Sequence, residues 1–186
     1  VANLMMGLLE EGAGDLDAVG FAQRADEIAG RLGFGSGREN VSLSLRSLTE
    51  NLDQTVDLMR LAIMQPRFDE EPVARLKAQI ISSIKSSETD PNSIAGKAFN
   101  EMGFAGDPYG RPSEGTVESV TGLTVEDLKS ARETLLNVGG AHIGVVGDIT
   151  AAELAPLLDR LLGDLRDEPV EELPMTRFSA PAGVTV

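Results

Sequence analysis

His142 is the only histidine in the chain, and there is no cysteine. A zinc site made wholly from these residues would join one imidazole to carboxylates, an uncommon hydrolytic set. His142 lies in AHIGVV, a short apolar segment beside glycines that reads as a buried strand, so a structural role is expected of it. Serine chemistry fares no better, because no Gly-x-Ser-x-Gly elbow occurs. GFGSG at 33–37 has the glycines of a phosphate loop. It lacks the Gly-Lys-Ser/Thr that completes one, and its helix–loop–strand order is wrong for a dinucleotide turn. The segment reads as a loop, or as an irregular strand that lets another backbone come close. Glu10–Glu11 and Glu70–Glu71 are adjacent in sequence, share no helical face and read as solvated charge. In GDPYGRP, at 106–112, glycine and proline fix a turn. Tyr109 and Arg111 are then free to meet a partner, or Tyr109 packs against a helix.

Charge narrows the classes further. Sixteen basic residues against thirty acidic ones give a formal charge of -14, which opposes a general nucleic-acid surface. Such a surface suits basic peptides but is more simply read as a device for solubility. The missing cysteines exclude disulfides and thiolate metal sites without fixing a compartment. No apolar run approaches the length of a membrane span, and no basic region of a signal peptide opens the chain. A chain opening on Val1 rather than Met reads as processed or cut, so a bacterial periplasm and a cytoplasm both fit.

The elements that must position these residues follow from periodicity. Asn3 to Glu11 reads as a short helix stopped by Gly-Ala-Gly at 12–14. Asp15 or Asp17 can cap a second helix whose Phe21, Ala25, Ile28 and Ala29 form one stripe. Val41, Leu43 and Leu45 alternate with Ser42, Ser44 and Arg46, a strand with one wet face. Asn51 with Gln54 is a capping-box pattern ahead of Leu52, Val56, Met59 and Ile63 at helical spacing. Pro66 ends that helix, and Pro72 fits the first turn of a long one with Val73, Leu76, Ile80 and Ile84 inward. A shorter helix follows near Pro91, and Thr124/Asp127 and Thr150/Glu153 mark two more starts. Helices around a few strands, without a regular βαβ array, predict an α+β fold with a mostly antiparallel sheet.

Taken together and in order, four stretches resemble the pitrilysin/insulinase-like peptidases, the family that includes the mitochondrial processing peptidase. They are NLMMGLLEEGAGDLDAVGFAQRADEIAG, LRSLTENLDQTVDLMRLAIMQPRFDEEPVARLKAQIISSIK, DPYGRPSEGTVESV and AHIGVVGDIT, spanning about residues 1–165. The resemblance implies that active relatives carry an inverted HxxEH motif on the first helix. There, two histidines hold Zn²⁺ and the glutamate activates water. Matched residue by residue, the histidines fall at Asn3 and Gly7 and the catalytic glutamate at Met6. A ligand glutamate on the long helix falls at Ser83, and an accompanying glutamate falls at Leu76. None of the five can fill its role, so no catalytic residue and no metal ligand is expected here.

The same resemblance implies a non-catalytic subunit that pairs with a homologous zinc-bearing subunit and helps enclose unfolded peptides. Zinc then belongs to the partner. Family substrates add a strand at a sheet edge, which corresponds here to Gly33, Phe34, Gly35, Ser36 and Gly37, with Gly33-Phe34 replacing a frequent Asn-Ala. A glycine-rich edge can admit a peptide backbone by strand addition. Two alternatives stay open: a structural subunit like the core proteins of the cytochrome bc1 complex, or a nominal zinc metallopeptidase whose activity lies outside this chain. Residues 1–165 read as the N-terminal domain without its first strands, and 166–186 as a linker toward a second domain.

Overall fold

A computed structural model describes residues 1–170 and 175–179. The chain divides into two compact units, residues 1–76 with 124–170, and residues 77–123 with the segment from 171. The linker expected at 166–186 lies partly outside the described residues.

The first unit opens with α1 (Ala2–Gly7), shorter than the helix expected to reach Glu11. Leu4, Met5, Met6, Leu8 and Leu9 are all fully buried, so the opening segment is core on several sides rather than along one stripe. Helix gives way to turn, and the strands β1 (Gly12–Ala13) and β2 (Leu16–Asp17) form a tight antiparallel hairpin. Gly12 and Gly14 there have φ of 116° and 56°, a backbone that only glycine adopts cheaply. The Gly14 N–H donates to Gln65 O at 2.9 Å, and Arg67 N–H donates to Gly12 O at 3.1 Å. Thus the Pro66-Arg67-Phe68 segment is sewn to the hairpin, with Phe68 buried at its far end.

Asp17, of the two aspartates considered, caps α2 (Ala18–Glu27) by accepting from Gly20 N–H at 2.8 Å. Phe21 and Ile28 are buried as the stripe requires, whereas Ala29 turns out at φ 49° and is exposed. Strands β3 (Arg31–Ser36) and β4 (Val41–Arg46) pair antiparallel in continuous register, from Arg31 opposite Arg46 to Ser36 opposite Val41. The alternation read for β4 holds: Val41, Leu43 and Leu45 are half-buried and Ser42, Ser44 and Arg46 exposed. Ala13, Phe21, Ile28, Leu58 and Ala62 make one core cluster, with Leu32 and Phe34 of β3 packed against it.

α3 (Leu52–Met64) buries Val56, Met59 and Ile63 as its spacing demands. Its Asn51–Gln54 capping box does not form. The Asn51 side chain instead donates to Ile28 O at 2.9 Å, and the Gln54 carbonyl accepts from Arg24 at 3.0 Å. Both groups are taken by tertiary partners that compete with the cap. α4 (Glu70–Ser87) has Pro72 in its first turn and belongs to the first unit as far as Leu76. Val73, Leu76, Ile80 and Ile84 form its less exposed face, half-buried rather than fully so.

α7 (Val125–Leu135) and α8 (Ala151–Leu162) begin at the expected capping boxes, Thr124 with Asp127 and Thr150 with Glu153. Arg132 of α7 donates to Ile63 O at 2.7 Å, satisfying a carbonyl at the end of α3. α8 is held to α3 by polar groups: Arg160 pairs with Asp53 at 2.5 Å, and Arg60 pairs with Asp164. The buried strand expected at His142–Val146 is the main correction. Among the described residues this segment joins no ladder, and His142, Ile143, Val145 and Val146 are exposed. An apolar run becomes a strand only when its N–H and C=O groups find a neighbouring backbone. No described strand supplies one.

In the second unit, Lys77 donates to Thr121 O and Leu123 O, tying α4 to the end of α6 (Val117–Gly122). Asp90 caps α5 (Pro91–Gly103). The fold class is α+β with antiparallel pairing in both small sheets. Among the described residues no helix is long and apolar enough to cross a membrane.

Candidate functional site

Three segments were singled out for chemistry. The first is α1 with its facing helix. Asn3 is exposed at the open end of α1, Met6 is fully buried, and Gly7 faces Leu76. A Cβ added at Gly7 would stand 3.1 Å from Leu76 Cδ2, so the two positions close on each other. Ser83, exposed on the part of α4 that belongs to the second unit, offers only a hydroxyl. An amide, a thioether, a bare backbone, an isobutyl group and a hydroxyl do not suit the zinc that active relatives hold, which wants imidazole, thiolate or carboxylate donors. Among the described residues no three histidine, cysteine or acidic side chains converge in a way that would hold a metal.

The carboxylates just after α1 behave as structural charge. Partial burial, and then the neighbouring Glu11, push the Glu10 carboxyl up from its ordinary range. Glu11 accepts from Arg75 at 2.5 Å, and Glu71 lies 3.4 Å from the same guanidinium. The hydrogen bond to Glu11 is the main reason that Arg75 titrates even higher than usual.

The second segment is the edge at 33–37. The structure makes Gly33 to Ser36 part of β3, choosing the strand over the loop, and Gly37 opens the turn by donating to Asn40 O at 2.7 Å. Gly33 stands opposite Ser44 and Gly35 opposite Ser42. Built Cβ atoms at the two glycines would come within 2.6 and 2.8 Å of the serine hydroxyls. The serine side chains thus lie over the glycines, and between its ends this face carries nothing bulkier than serine. Phe34 turns the other way, onto the core. Among the described residues β3 pairs only with β4, which leaves its other edge open to a further strand. At one end of the serine face Arg31 and Arg46 stand directly opposite each other, a pair that sequence reading missed. Its signal is the register, which is unreadable until the turn at 37–40 is known.

The third segment is the Gly-Asp-Pro-Tyr-Gly-Arg-Pro turn in the second unit. Asp107 accepts from Tyr109 N–H at 2.9 Å, and the Tyr109 ring packs on Phe104 at 5.6 Å. Tyr109 thus packs against the end of a helix, the plainer of its two readings. Phe178 also meets Phe104, edge-on at 5.6 Å. Glu101, Asp107 and Arg111 help line a shallow cavity of about 220 Å³ beside the turn. His142 lies in none of these places.

These observations can be set beside known proteins. The profile of the insulinase family, peptidase family M16, matches residues 1–117. The chain belongs to the M16 peptidase family. A Helicobacter pylori protein named non-peptidase homolog YmxG is 25% identical over 165 residues, covering 89% of this chain and 38% of its own length. The probable mitochondrial-processing peptidase subunit beta of Arabidopsis thaliana is 21% identical, covering 79% of this chain and 28% of that protein. Among solved structures, the peptidase M16 inactive domain from Pseudomonas fluorescens matches with a TM-score of 0.83 and 22% identity, over 97% of this chain and 43% of that one. The chain spans less than half the length of these relatives, and what the structural likeness shows is the fold.

Proposed function

We propose that this chain is a non-catalytic member of the M16 family that binds extended peptide and serves a homologous zinc-bearing subunit. The observation that carries the reading is the closure of Gly7 on Leu76 beside a fully buried Met6. Where active relatives need two imidazoles, a general base and a carboxylate, this chain offers a buried thioether and a glycine closed against Leu76, groups with little to offer a metal or a water to be activated. The β3 edge keeps what strand addition needs, an open backbone edge with little side-chain bulk on its solvent face. The name of the H. pylori relative, a non-peptidase homolog, supports the first half of the reading.

A structural role is the competing reading. Subunit 1 of the cytochrome b-c1 complex of Caenorhabditis elegans matches 96% of this chain at 19% identity. Peptide cleavage separates the two. The purified chain, loaded with Zn²⁺ and given a fluorogenic peptide, is expected to show no turnover. Adding a zinc-bearing M16 subunit from the same source is expected to give a stable complex whose cleavage exceeds that of the zinc subunit alone. Turnover by this chain alone would overturn the non-catalytic reading. A complex with no gain in cleavage would favour the structural one.

A further inference from the structure

We infer that the β3–β4 face selects extended peptides carrying a carboxylate at the position that faces Arg31. The inference rests on the strand-addition reading and adds the chemistry of the peptide. In the observed register Arg31, Gly33 and Gly35 share one face with Arg46, Ser44 and Ser42. Directly opposed residues of an antiparallel pair hold their Cβ atoms about 4.5–5.5 Å apart, and like charges placed so repel.

Six other arginines are paired with acids, while Arg132 is satisfied by Ile63 O instead. Arg24, Arg60, Arg67, Arg75, Arg160 and Arg166 each hold a carboxylate. Arg31 and Arg46 hold none among the described residues, although the chain has thirty acidic side chains to offer. The repulsion is left unrelieved within the unit that contains it.

A strand added at the open edge of β3 relieves it. Its residue opposite Arg31 lies on the same face, one strand further out, so the row reads peptide residue, Arg31, Arg46. A Glu or Asp there takes a charge-assisted hydrogen bond from the Arg31 guanidinium and lies in the field of Arg46. Gly33, Gly35, Ser42 and Ser44 put no bulk beside the row, so the guanidinium groups are unobstructed on that side. A Lys at the same peptide position meets two like charges and is rejected.

The test uses the purified chain and three fluorescent nine-residue peptides of alternating Ser and Val, with Glu, Gln or Lys at the centre. Anisotropy at low salt is expected to show the Glu peptide binding about five- to tenfold more tightly than the Gln peptide, with Lys weakest and the spread shrinking as salt rises. In the R31Q/R46Q double variant the Glu and Gln peptides should bind alike, at the affinity of the Gln peptide for the unmodified chain. R31E/R46E should turn the preference to Lys. Arg31 and Arg46 are both exposed, and unchanged melting temperatures would show that the variants fold. Equal binding of Glu and Gln peptides to the unmodified chain would overturn the selectivity while leaving strand addition standing. Failure of all three to bind would overturn both. Self-association of the chain that blocks peptide and disappears in R31Q/R46Q would make a second copy the occupant, and would overturn the inference too.

Discussion

Two regions of the first unit lie close in sequence and have opposite characters. Around α1, every place where a family relative would put a reactive group is filled, closed or left to solvent: Met6 is buried, Gly7 meets Leu76, and Asn3 faces out. Across the β3–β4 pair the solvent face is kept thin by Gly33, Gly35 and two serines, and the β3 edge is open among the described residues. A reactive centre whose polar groups are gone is stabilised by packing, because buried apolar atoms gain both transfer energy and contacts. A binding edge gains nothing from packing, since bulk would obstruct what it binds. On the proposed reading, the contrast is that of a site without ligand chemistry beside an edge shaped for a guest.

The largest expected difference is in stability. Met6→Ala should cost about 2–5 kcal/mol, through lost transfer energy and a residual cavity, whereas Ser44→Ala should stay within about 0.5 kcal/mol. Urea melts of the two variants check this, and equal costs would erase the contrast. Next in size is the attempt to restore a metal ligand. Gly7→His should cost about 1–3 kcal/mol by overpacking against Leu76. Combined with Leu76→Ala, part of that cost should return, with a coupling of about 0.5–3 kcal/mol in a double-mutant cycle. Strict additivity would show that the two positions do not close on each other.

The smallest effect concerns pH. Glu10 has its carboxyl raised in the folded state by burial and by Glu11. The folded chain therefore binds this proton more tightly than the unfolded chain does, and stability from this group falls as pH rises from the unfolded value through the folded one. Glu10→Gln should raise stability at pH 7 by no more than about 0.5 kcal/mol and flatten that part of the pH profile above pH ~4.5. Unfolding midpoints measured from pH 4 to 7 on both proteins decide it, and a variant less stable at pH 7 would contradict the assignment.

What was legible in the sequence was mostly local. Thr124 and Thr150 announce their helices because a capping box involves residues three apart and no distant group. Pro72 and the α3 stripe follow from proline geometry and period in the same way. Asn51 and Gln54 carry the same local signal and fail, because Ile28 O and Arg24 reach them from elsewhere in the fold. His142 to Val146 misleads for a related reason: apolarity shows that a segment can be a strand, but only a neighbouring backbone makes it one. At the candidate site, the assignment of Asn3, Met6, Gly7, Leu76 and Ser83 to ligand positions comes from matching residues to a family pattern. The contact of Gly7 with Leu76 and the opposition of Arg31 to Arg46 could not be read that way, since both depend on pairings across the fold.

The central claim is that peptide binding here has been separated from metal. Its most direct test is the affinity of an extended Glu-containing peptide for the purified chain, measured by anisotropy before and after exhaustive dialysis against EDTA, with zinc content determined on the same samples. The predicted result is one unchanged Kd and no stoichiometric zinc in either sample. A tightly held zinc in the first sample, with peptide affinity lost when it is removed, would contradict the account.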